Sequence, residues 1–226
     1  MTVRICASIV ASTMRDMERM MRRAERDGAD FIEVRLDYIR GKYSLKEVRK
    51  LSTLPLIATN RHLMEGGLFE GSEEERFRLL SSAADLGFEF IDVELSTESS
   101  DERVKSLIDT GAQTIISAHI FDSTPNLSTL NSIFKKETST HASVCKIVTS
   151  AKAFEDNLRC LKFVEKASQK ANVICFCMGE LGITSRLLSP LVGGYFTYAS
   201  VQKGKEAAPG QLTISEMRRF YEVLGA

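Results

Sequence analysis

The sequence predicts a (β/α)8 barrel, the TIM-barrel architecture, built as one domain that spans residues 1–226. Short apolar runs rich in Val, Ile, Phe and Tyr recur eight times, and a charged segment with helical periodicity follows each of them. No linker or low-complexity stretch interrupts the series. The chain is long enough, and at 43% apolar enough, to bury one sizeable core. A doubly wound open sheet is the alternative.

The predicted strands read as continuous apolar runs because a parallel sheet is covered on both faces. They lie at 3–9, 31–36, 55–60, 90–95, 114–120, 143–148, 173–178 and 195–200. The predicted helices lie at 12–18, 44–52, 73–87, 101–110, 127–137, 152–171, 183–189 and 213–224. In the first helix, Met14, Met17 and Met21 share one face and are expected to pack on the core, while its alternating arginines and acids face solvent.

Charge and composition narrow the function classes. Thirty basic and thirty acidic residues give a net charge of zero, which argues against a nucleic-acid partner or an anionic membrane surface. The N-terminus shows no signal pattern, and no apolar stretch is long enough to span a membrane. We therefore expect a soluble cytoplasmic protein with a small-molecule partner.

The five cysteines are expected to be small apolar residues in a reducing compartment. They are Cys6, Cys145, Cys160, Cys175 and Cys177. Cys175 and Cys177 point to one face of a strand, but no second Cys or His pair at metal-site spacing accompanies them. The sequence thus predicts no metal site.

Lys146 lies at the centre of the apolar run 144–148. An ammonium group there is costly unless it is paired or neutral, and a neutral lysine is a nucleophile toward carbonyls. One interpretation is a Schiff-base lysine. The other is a lysine at a strand end that extends into water or pairs with an acidic strand residue. Glu94 could be the counter-charge of Lys146 or of a buried arginine.

Polar residues fall on one parity of several predicted strands, near their carboxyl ends, where barrel enzymes place their active sites. The inward parity holds Glu33 and Arg35, Thr59 and Arg61, Asp92 and Glu94, Ser117 and His119, and Lys146. The long segment 201–210 follows the last strand and suits a lid, although an ordinary exposed loop is the alternative.

A strand-borne lysine and histidine among Arg, Glu and Gln side chains favour covalent imine catalysis on a polyhydroxylated, anionic carbonyl compound. Spacing alone fits a class I aldolase, a transaldolase or an imine-forming dehydratase. A catalytically silent barrel that only binds a ligand or a partner protein is a further alternative.

Six motifs, in order along nearly the whole chain, resemble those of type I 3-dehydroquinate dehydratase, the Schiff-base enzyme of the shikimate pathway. They are Glu33-Val34-Arg35-Leu36-Asp37, Thr59-x-Arg61-x-x-x-Glu65-Gly66-Gly67, Ser117-Ala118-His119, Cys145-Lys146-Ile147, Met178-Gly179-x-x-Gly182-x-x-Ser185-Arg186 and Ala208-Pro209-Gly210-Gln211. Together they are strongly specific.

The resemblance implies conversion of 3-dehydroquinate to 3-dehydroshikimate and water by syn elimination, without a cofactor, in a homodimer. Its catalytic residues would be Lys146, which forms the imine, His119, which moves protons, and Glu65, which orients and tunes His119. Arg186 and Gln211 would hold the substrate carboxylate. The resemblance further implies that Glu33, Arg35 and Arg61 bind ring hydroxyls and brace one another, and that Ser8 contacts substrate.

Two features depart from the family pattern. Ala207 stands where many members have serine, so one hydrogen bond to substrate is expected to be missing. The first predicted strand begins at residue 3, which leaves no room for the N-terminal hairpin with which some members close the bottom of the barrel.

Overall fold

The computed structural model describes residues 3–226. Met1 and Thr2 lie outside the described residues. The expectation that the N-terminus carries no signal pattern falls partly on these two residues. Eight strands alternate with eight helices. The strands are β1 (Ile5–Ile9), β2 (Phe31–Arg35), β3 (Leu56–Thr59), β4 (Phe90–Glu94), β5 (Gln113–His119), β6 (Val144–Ser150), β7 (Val173–Met178) and β8 (Thr197–Ser200). The helices are α1 (Met14–Arg26), α2 (Leu45–Arg49), α3 (Glu73–Asp85), α4 (Ser100–Asp109), α5 (Leu127–Ser139), α6 (Phe154–Ala167), α7 (Ile183–Leu188) and α8 (Ile214–Leu224).

All eight strands form one parallel sheet in the order β7-β6-β5-β4-β3-β2-β1-β8. β1 pairs with both β2 and β8, so the first and last strands of the chain are neighbours and β7 and β8 stand at the two ends of the order. Between β7 and β8, the Tyr195 amide donates to the Val173 carbonyl at 2.8 Å. The predicted (β/α)8 barrel is confirmed, nearly closed, and the open-sheet alternative is wrong.

The first helix is longer than predicted. It begins after Thr13, whose side chain accepts from the Asp16 amide, and it continues to Arg26. The predicted bounds, 12–18, end before Met21, although the spacing of the methionines already placed Met21 on the core-facing side of this helix. Met20, Met21 and Ala24 are buried at helical spacing and extend the core-facing stripe past residue 18.

The barrel interior is layered. Its lower part is apolar and includes Phe31, Phe90 and Phe196, with the Phe31 and Phe196 ring centroids 4.9 Å apart. Below them the guanidinium of Arg4 lies 4.0 Å from the centroid of the Tyr195 ring. Toward the carboxyl ends of the strands the inward side chains become polar and charged, as their alternation in the sequence predicts. The fold thus fills the bottom of the barrel with rings and leaves charged groups at its top.

A second apolar cluster lies between the strands and the surrounding helices. All five cysteines are free and buried. Cys6 lies inside the barrel, and the other four belong to the apolar cluster between the strands and the helices. None of the helices within residues 3–226 combines the length and apolar composition needed to cross a bilayer.

Candidate active site

A cavity opens at the carboxyl ends of the strands, and the atom-free space in it and in the solvent at its mouth amounts to about 620 Å3. The barrel geometry brings all nine residues proposed from the sequence to its walls, although they come from widely separated parts of the chain. These residues are Ser8, Glu33, Arg35, Arg61, Glu65, His119, Lys146, Arg186 and Gln211. Ala207 also lines the cavity.

Lys146 lies in the middle of β6 and is only 4% exposed. Its Nζ lies 3.0 Å from Oδ2 of Asp92 and 3.8 Å from Oε1 of Glu33. The same atom lies 4.5 Å from the centroid of the Tyr198 ring. The alternative of a strand-end lysine reaching water is therefore wrong, whereas pairing with an acidic strand residue is confirmed. The nearest partner is Asp92, Glu33 is a more distant one, and Glu94 is not a partner of Lys146.

Arg61 links the acidic residues of β4. Its Nη2 lies 2.7 Å from Asp92, and its Nη1 lies 3.0 Å from Glu94 and donates to Ser117 at 2.9 Å. Burial alone would lower the pKa of Arg61, but Asp92 and Glu94 outweigh it and raise that pKa. Burial would raise the pKa of Asp92, but Arg61 and Lys146 outweigh it and hold it well below its ordinary value. Both groups are therefore charged at neutral pH.

Glu94 also contacts Arg76 of α3, at 2.8 Å from its Nη1. Of the two roles considered from the sequence, Glu94 thus has the second, as the counter-charge of buried arginines. No sequence signal identified Arg76, because its helix reads as a solvated, charged segment.

No hydrogen bond or ion pair joins Glu33, Arg35 and Arg61 to one another. The expectation that these three side chains brace one another by direct contact is therefore wrong. Glu33 accepts from the hydroxyls of Ser8 at 2.8 Å and Thr59 at 3.0 Å. Arg35 donates twice to Asp37, at 2.9 and 2.7 Å. Glu33 is therefore held by hydroxyls of the two strands beside its own, and Arg35 by a carboxylate of the turn that follows its strand.

His119, at the end of β5, faces Glu65 from the turn after β3. Nδ1 of His119 lies 3.0 Å from Oε2 of Glu65. Burial and then Arg61 lower the pKa of His119, against the opposing effect of Glu65. Burial would raise the pKa of Glu65, but hydrogen bonds with His119 and Ser96 outweigh it and lower that pKa. At neutral pH the pair is therefore a carboxylate next to a neutral imidazole. Since a carboxylate only accepts, Nδ1 carries the proton and Nε2 is the basic nitrogen.

Arg186 is the one strongly buried cation of the cavity for which no carboxylate partner is found among the described residues. It is 1% exposed, its Nε has no hydrogen-bond partner, and its Nη2 makes a long contact of 3.4 Å to the Pro209 carbonyl. The guanidinium also lies 4.3 Å from the centroid of the Phe176 ring. Burial lowers its pKa to about 10. A buried guanidinium in this state attracts an anion.

Gln211 lies beside the same part of the cavity. Its Nε2 lies 3.4 Å from the Ser8 hydroxyl, and its Oε1 accepts from the Ala207 amide at 2.7 Å. The amide group is therefore fixed by the backbone of the segment 201–210. That segment docks on the end of β7, where the Gly179 amide donates to the Pro209 carbonyl at 3.1 Å. Gly210 has a φ of +77°, and an added Cβ would lie 2.2 Å from the Gly179 oxygen, so only glycine fits this contact. Lid movement of the segment stays a prediction.

The sequence reasoning missed Phe176 and Tyr198, which line the cavity beneath Arg186 and Lys146. Both belong to apolar strand runs and carry no polar signal, so only their inward parity could have indicated them. Within residues 3–226, no group of three or more His, Cys, Asp or Glu side chains has an arrangement that could hold a metal ion.

Comparisons with known proteins agree with this geometry. The model of the family "Type I 3-dehydroquinase" matches residues 5–226. A 3-dehydroquinate dehydratase from Dehalococcoides mccartyi is 38% identical over 195 residues, which cover 86% of both chains. One from Methanopyrus kandleri is 38% identical over 228 residues, covering 98% of this chain and 100% of the other.

A crystal structure of 3-dehydroquinate dehydratase from Geobacillus kaustophilus superposes with a TM-score of 0.92 at 26% identity. The superposition covers 99% of this chain and 91% of that one. The family match extends over almost all of the chain and includes every residue assigned to the cavity. The chain therefore belongs to the type I 3-dehydroquinase family.

Proposed function

We propose that this enzyme converts 3-dehydroquinate to 3-dehydroshikimate and water by syn elimination through an imine on Lys146. One observation carries the proposal: a buried lysine, a neutral histidine with a fixed tautomer and a buried arginine without a carboxylate partner line one cavity. An imine-forming dehydratase acting on an anionic ketone needs a nucleophilic amine, a proton carrier and a carboxylate site. These three groups meet those needs.

In the first step, the Lys146 ammonium gives a proton to Nε2 of His119, and the free amine adds to the C3 carbonyl carbon. His119 passes this proton to the carbonyl oxygen, giving a carbinolamine, and then takes a second proton from the nitrogen. It donates that proton to the carbinolamine hydroxyl, which leaves as water, so that a protonated imine remains and Nε2 of His119 is again unprotonated. Asp92 remains ionised beside the nitrogen at 3.0 Å and so stabilises its positive charge before and after imine formation.

In the second step, Nε2 of His119 removes a proton from C2, and the electron pair of that C–H bond moves toward the imine nitrogen. The enamine then expels the C1 hydroxyl, which takes the same proton from His119 and leaves as water. Hydrolysis of the imine releases the product and restores Lys146. Glu65 holds the Nδ1 proton throughout, so that Nε2 faces the substrate as the proton carrier.

Binding is divided between the two sides of the cavity. Arg186 and Gln211 would hold the substrate carboxylate, because Arg186 is the buried cation that lacks an anion in the described part of the chain. Ser8, Glu33, Arg35 and Arg61 would face the ring hydroxyls. Arg61 already has two carboxylate partners, so its main contribution would be to keep Asp92 in place.

Borohydride trapping tests the proposal. The purified protein is incubated with 3-dehydroquinate, reduced, and examined by peptide mass spectrometry. We expect the added mass on the peptide that contains Lys146 and none in Lys146→Ala, while Lys203→Ala, which changes an exposed lysine, is trapped like wild type. His119→Ala is expected to form some imine but to stall before elimination. Wild-type turnover by Lys146→Ala would overturn the mechanism.

The same experiment separates the alternatives. Trapping and cleavage of sugar phosphates, without turnover of 3-dehydroquinate, would favour a class I aldolase or a transaldolase. Binding without any adduct would favour a silent binding barrel. The organisation of residues 1–226 as one domain, the homodimer, the cytoplasmic location and the absence of a cofactor stay predictions; light scattering of the purified protein tests the homodimer.

A further inference from the structure

Glu65 makes two hydrogen bonds, one on each oxygen. Oε2 lies 3.0 Å from Nδ1 of His119, and Oε1 accepts from the hydroxyl of Ser96 at 2.6 Å. The second bond is the shorter of the two and joins the turn after β3 to the turn after β4. The carboxylate is thus held from both sides.

Ser96 does not line the cavity that contains Lys146. It is exposed and lines a separate groove between α4 and α5, together with Ser100, Lys136 and the outer sides of Glu65 and His119. Solvent therefore reaches the Glu65 carboxylate from this groove as well as from the barrel mouth. Without a partner on Oε1, the carboxylate could rotate into the groove, where water and Lys136 would compete with His119 for it.

We propose that Ser96 is a positioning residue for the Glu65–His119 pair, because its hydroxyl keeps the carboxylate turned toward Nδ1. The consequence concerns the tautomer of His119. A neutral imidazole has its proton on either nitrogen, and only an acceptor at Nδ1 fixes the proton there and leaves Nε2 basic. For catalysis, the inference rests on the function proposed above, which uses Nε2 as the base.

The tautomer can be measured without substrate. The chain contains three histidines, so a spectrum with 15N-labelled histidine is simple, and comparison with His119→Asn identifies the His119 signals. At neutral pH we expect wild-type His119 to show a protonated Nδ1 and an unprotonated Nε2. In Ser96→Ala, the two nitrogen signals should move toward each other as the second tautomer becomes populated.

Two control variants test whether the effect of Ser96→Ala comes from the loss of the Ser96 hydroxyl. Ser96→Thr keeps a hydroxyl donor and is expected to retain the wild-type tautomer. Ser100→Ala removes a hydroxyl from the same groove that makes no hydrogen bond to Glu65, and it is expected to leave the His119 signals unchanged. Because Ser96 is exposed and the Ser100 side chain makes no hydrogen bond, all three variants are expected to fold, and a thermal melt of each verifies this.

Steady-state kinetics with 3-dehydroquinate supply the second readout. We expect Ser96→Ala to lower kcat by roughly three- to tenfold with little change in KM, since a hydrogen bond to a charged group is lost outside the substrate contacts. Wild-type tautomer signals in Ser96→Ala, or equal defects in Ser96→Ala and Ser96→Thr, would overturn the inference. If the chain does not turn over 3-dehydroquinate, the proposed function fails, but the tautomer measurement still decides the role of Ser96.

Discussion

Lys146 and Asp92 form a buried ion pair of 3.0 Å between β6 and β4, two strands that are not adjacent in the sheet. The other oxygen of Asp92 contacts Arg61 at 2.7 Å, so one carboxylate lies between two cations. A lysine in the middle of a strand is thereby kept in a barrel interior without reaching solvent. The pair explains how the fold tolerates this lysine between the apolar residues Cys145 and Ile147.

Asp92→Asn should destabilise the fold as well as the activity. The substitution leaves Lys146 and Arg61 without the carboxylate between them, and removal of one partner from a buried ion pair costs about 3–5 kcal/mol. Urea unfolding measures the change in the free energy of unfolding. The control is Asp109→Asn, an exposed position on α4, which should change stability by less than about 0.5 kcal/mol. Equal midpoints for the two variants would contradict the assigned role of Asp92.

Arg186→Met should stabilise the free protein and at the same time weaken the binding of 3-dehydroquinate. The buried guanidinium has no carboxylate partner among residues 3–226, and an apolar side chain of similar length avoids its desolvation. We expect the free energy of unfolding without substrate to rise by about 1 kcal/mol or more. KM for 3-dehydroquinate should rise by at least about tenfold, because a charged hydrogen bond to the substrate is lost.

The control for Arg186 is Arg159→Met. Arg159 pairs with Asp156 at 2.7 Å and donates to the Thr124 carbonyl, so the same substitution there should destabilise the protein and leave KM unchanged. A loss of stability in Arg186→Met as large as that in Arg159→Met would show that the Arg186 guanidinium is satisfied in the free enzyme.

The pH profile of kcat/KM should keep its acid limb below pH 6.5, the ordinary pKa of histidine. Burial and Arg61 lower the pKa of His119, so the imidazole stays neutral, and basic, on further acidification. Glu65 opposes this shift, so Glu65→Gln should move the limb to still lower pH. It should also reduce kcat by about ten- to a hundredfold, because the tautomer is no longer fixed.

Glu70→Gln, at an exposed position beyond the same turn, serves as the control and should retain the wild-type profile. An acid limb above pH 6.5 in the wild type, or a limb that moves up in Glu65→Gln, would contradict the assigned electrostatics of the pair.

Ala207→Ser should improve binding. Ala207 lines the cavity, at a position where the motif resemblance leads us to expect serine, so a hydroxyl added there is expected to face the substrate. One added neutral hydrogen bond contributes about 0.5–1.5 kcal/mol, which corresponds to a KM lower by about two- to tenfold. Lys205→Ser, an exposed change in the same segment, controls for altered loop flexibility. An unchanged KM would mean that the substrate does not reach this position.

Local patterns in the sequence predicted the barrel and the cavity residues well. Apolar runs and helical segments follow from side-chain periodicity, and inward parity on parallel strands places polar side chains at one end of a barrel. Glu33, Arg35 and His119 could therefore be assigned to one site before any contact was known. Motif resemblance then added Glu65, Arg186 and Gln211, which lie in turns and helices where parity gives no information.

These sequence patterns did not predict which charged side chains pair with one another. Asp92, and not Glu94, pairs with Lys146, and Asp37, not Glu33, pairs with Arg35. Both carboxylates of β4 have the same parity, so the choice between them depends on strand stagger and on the length and rotamer of each side chain. Ser96 illustrates the same limit, because a serine in a polar turn gives no sign that its hydroxyl will reach Glu65.

The sequence by itself determined the alternation of strands and helices, the family and the chemical groups of the site, because periodicity and residue type are local properties. Only the tertiary structure decided which charges neutralise one another, and that Arg186 is left without a carboxylate partner in the described part of the chain. Electrostatic energies in a buried site depend on distances of a few ångströms between residues far apart in the chain. Such distances exist only once the barrel has closed.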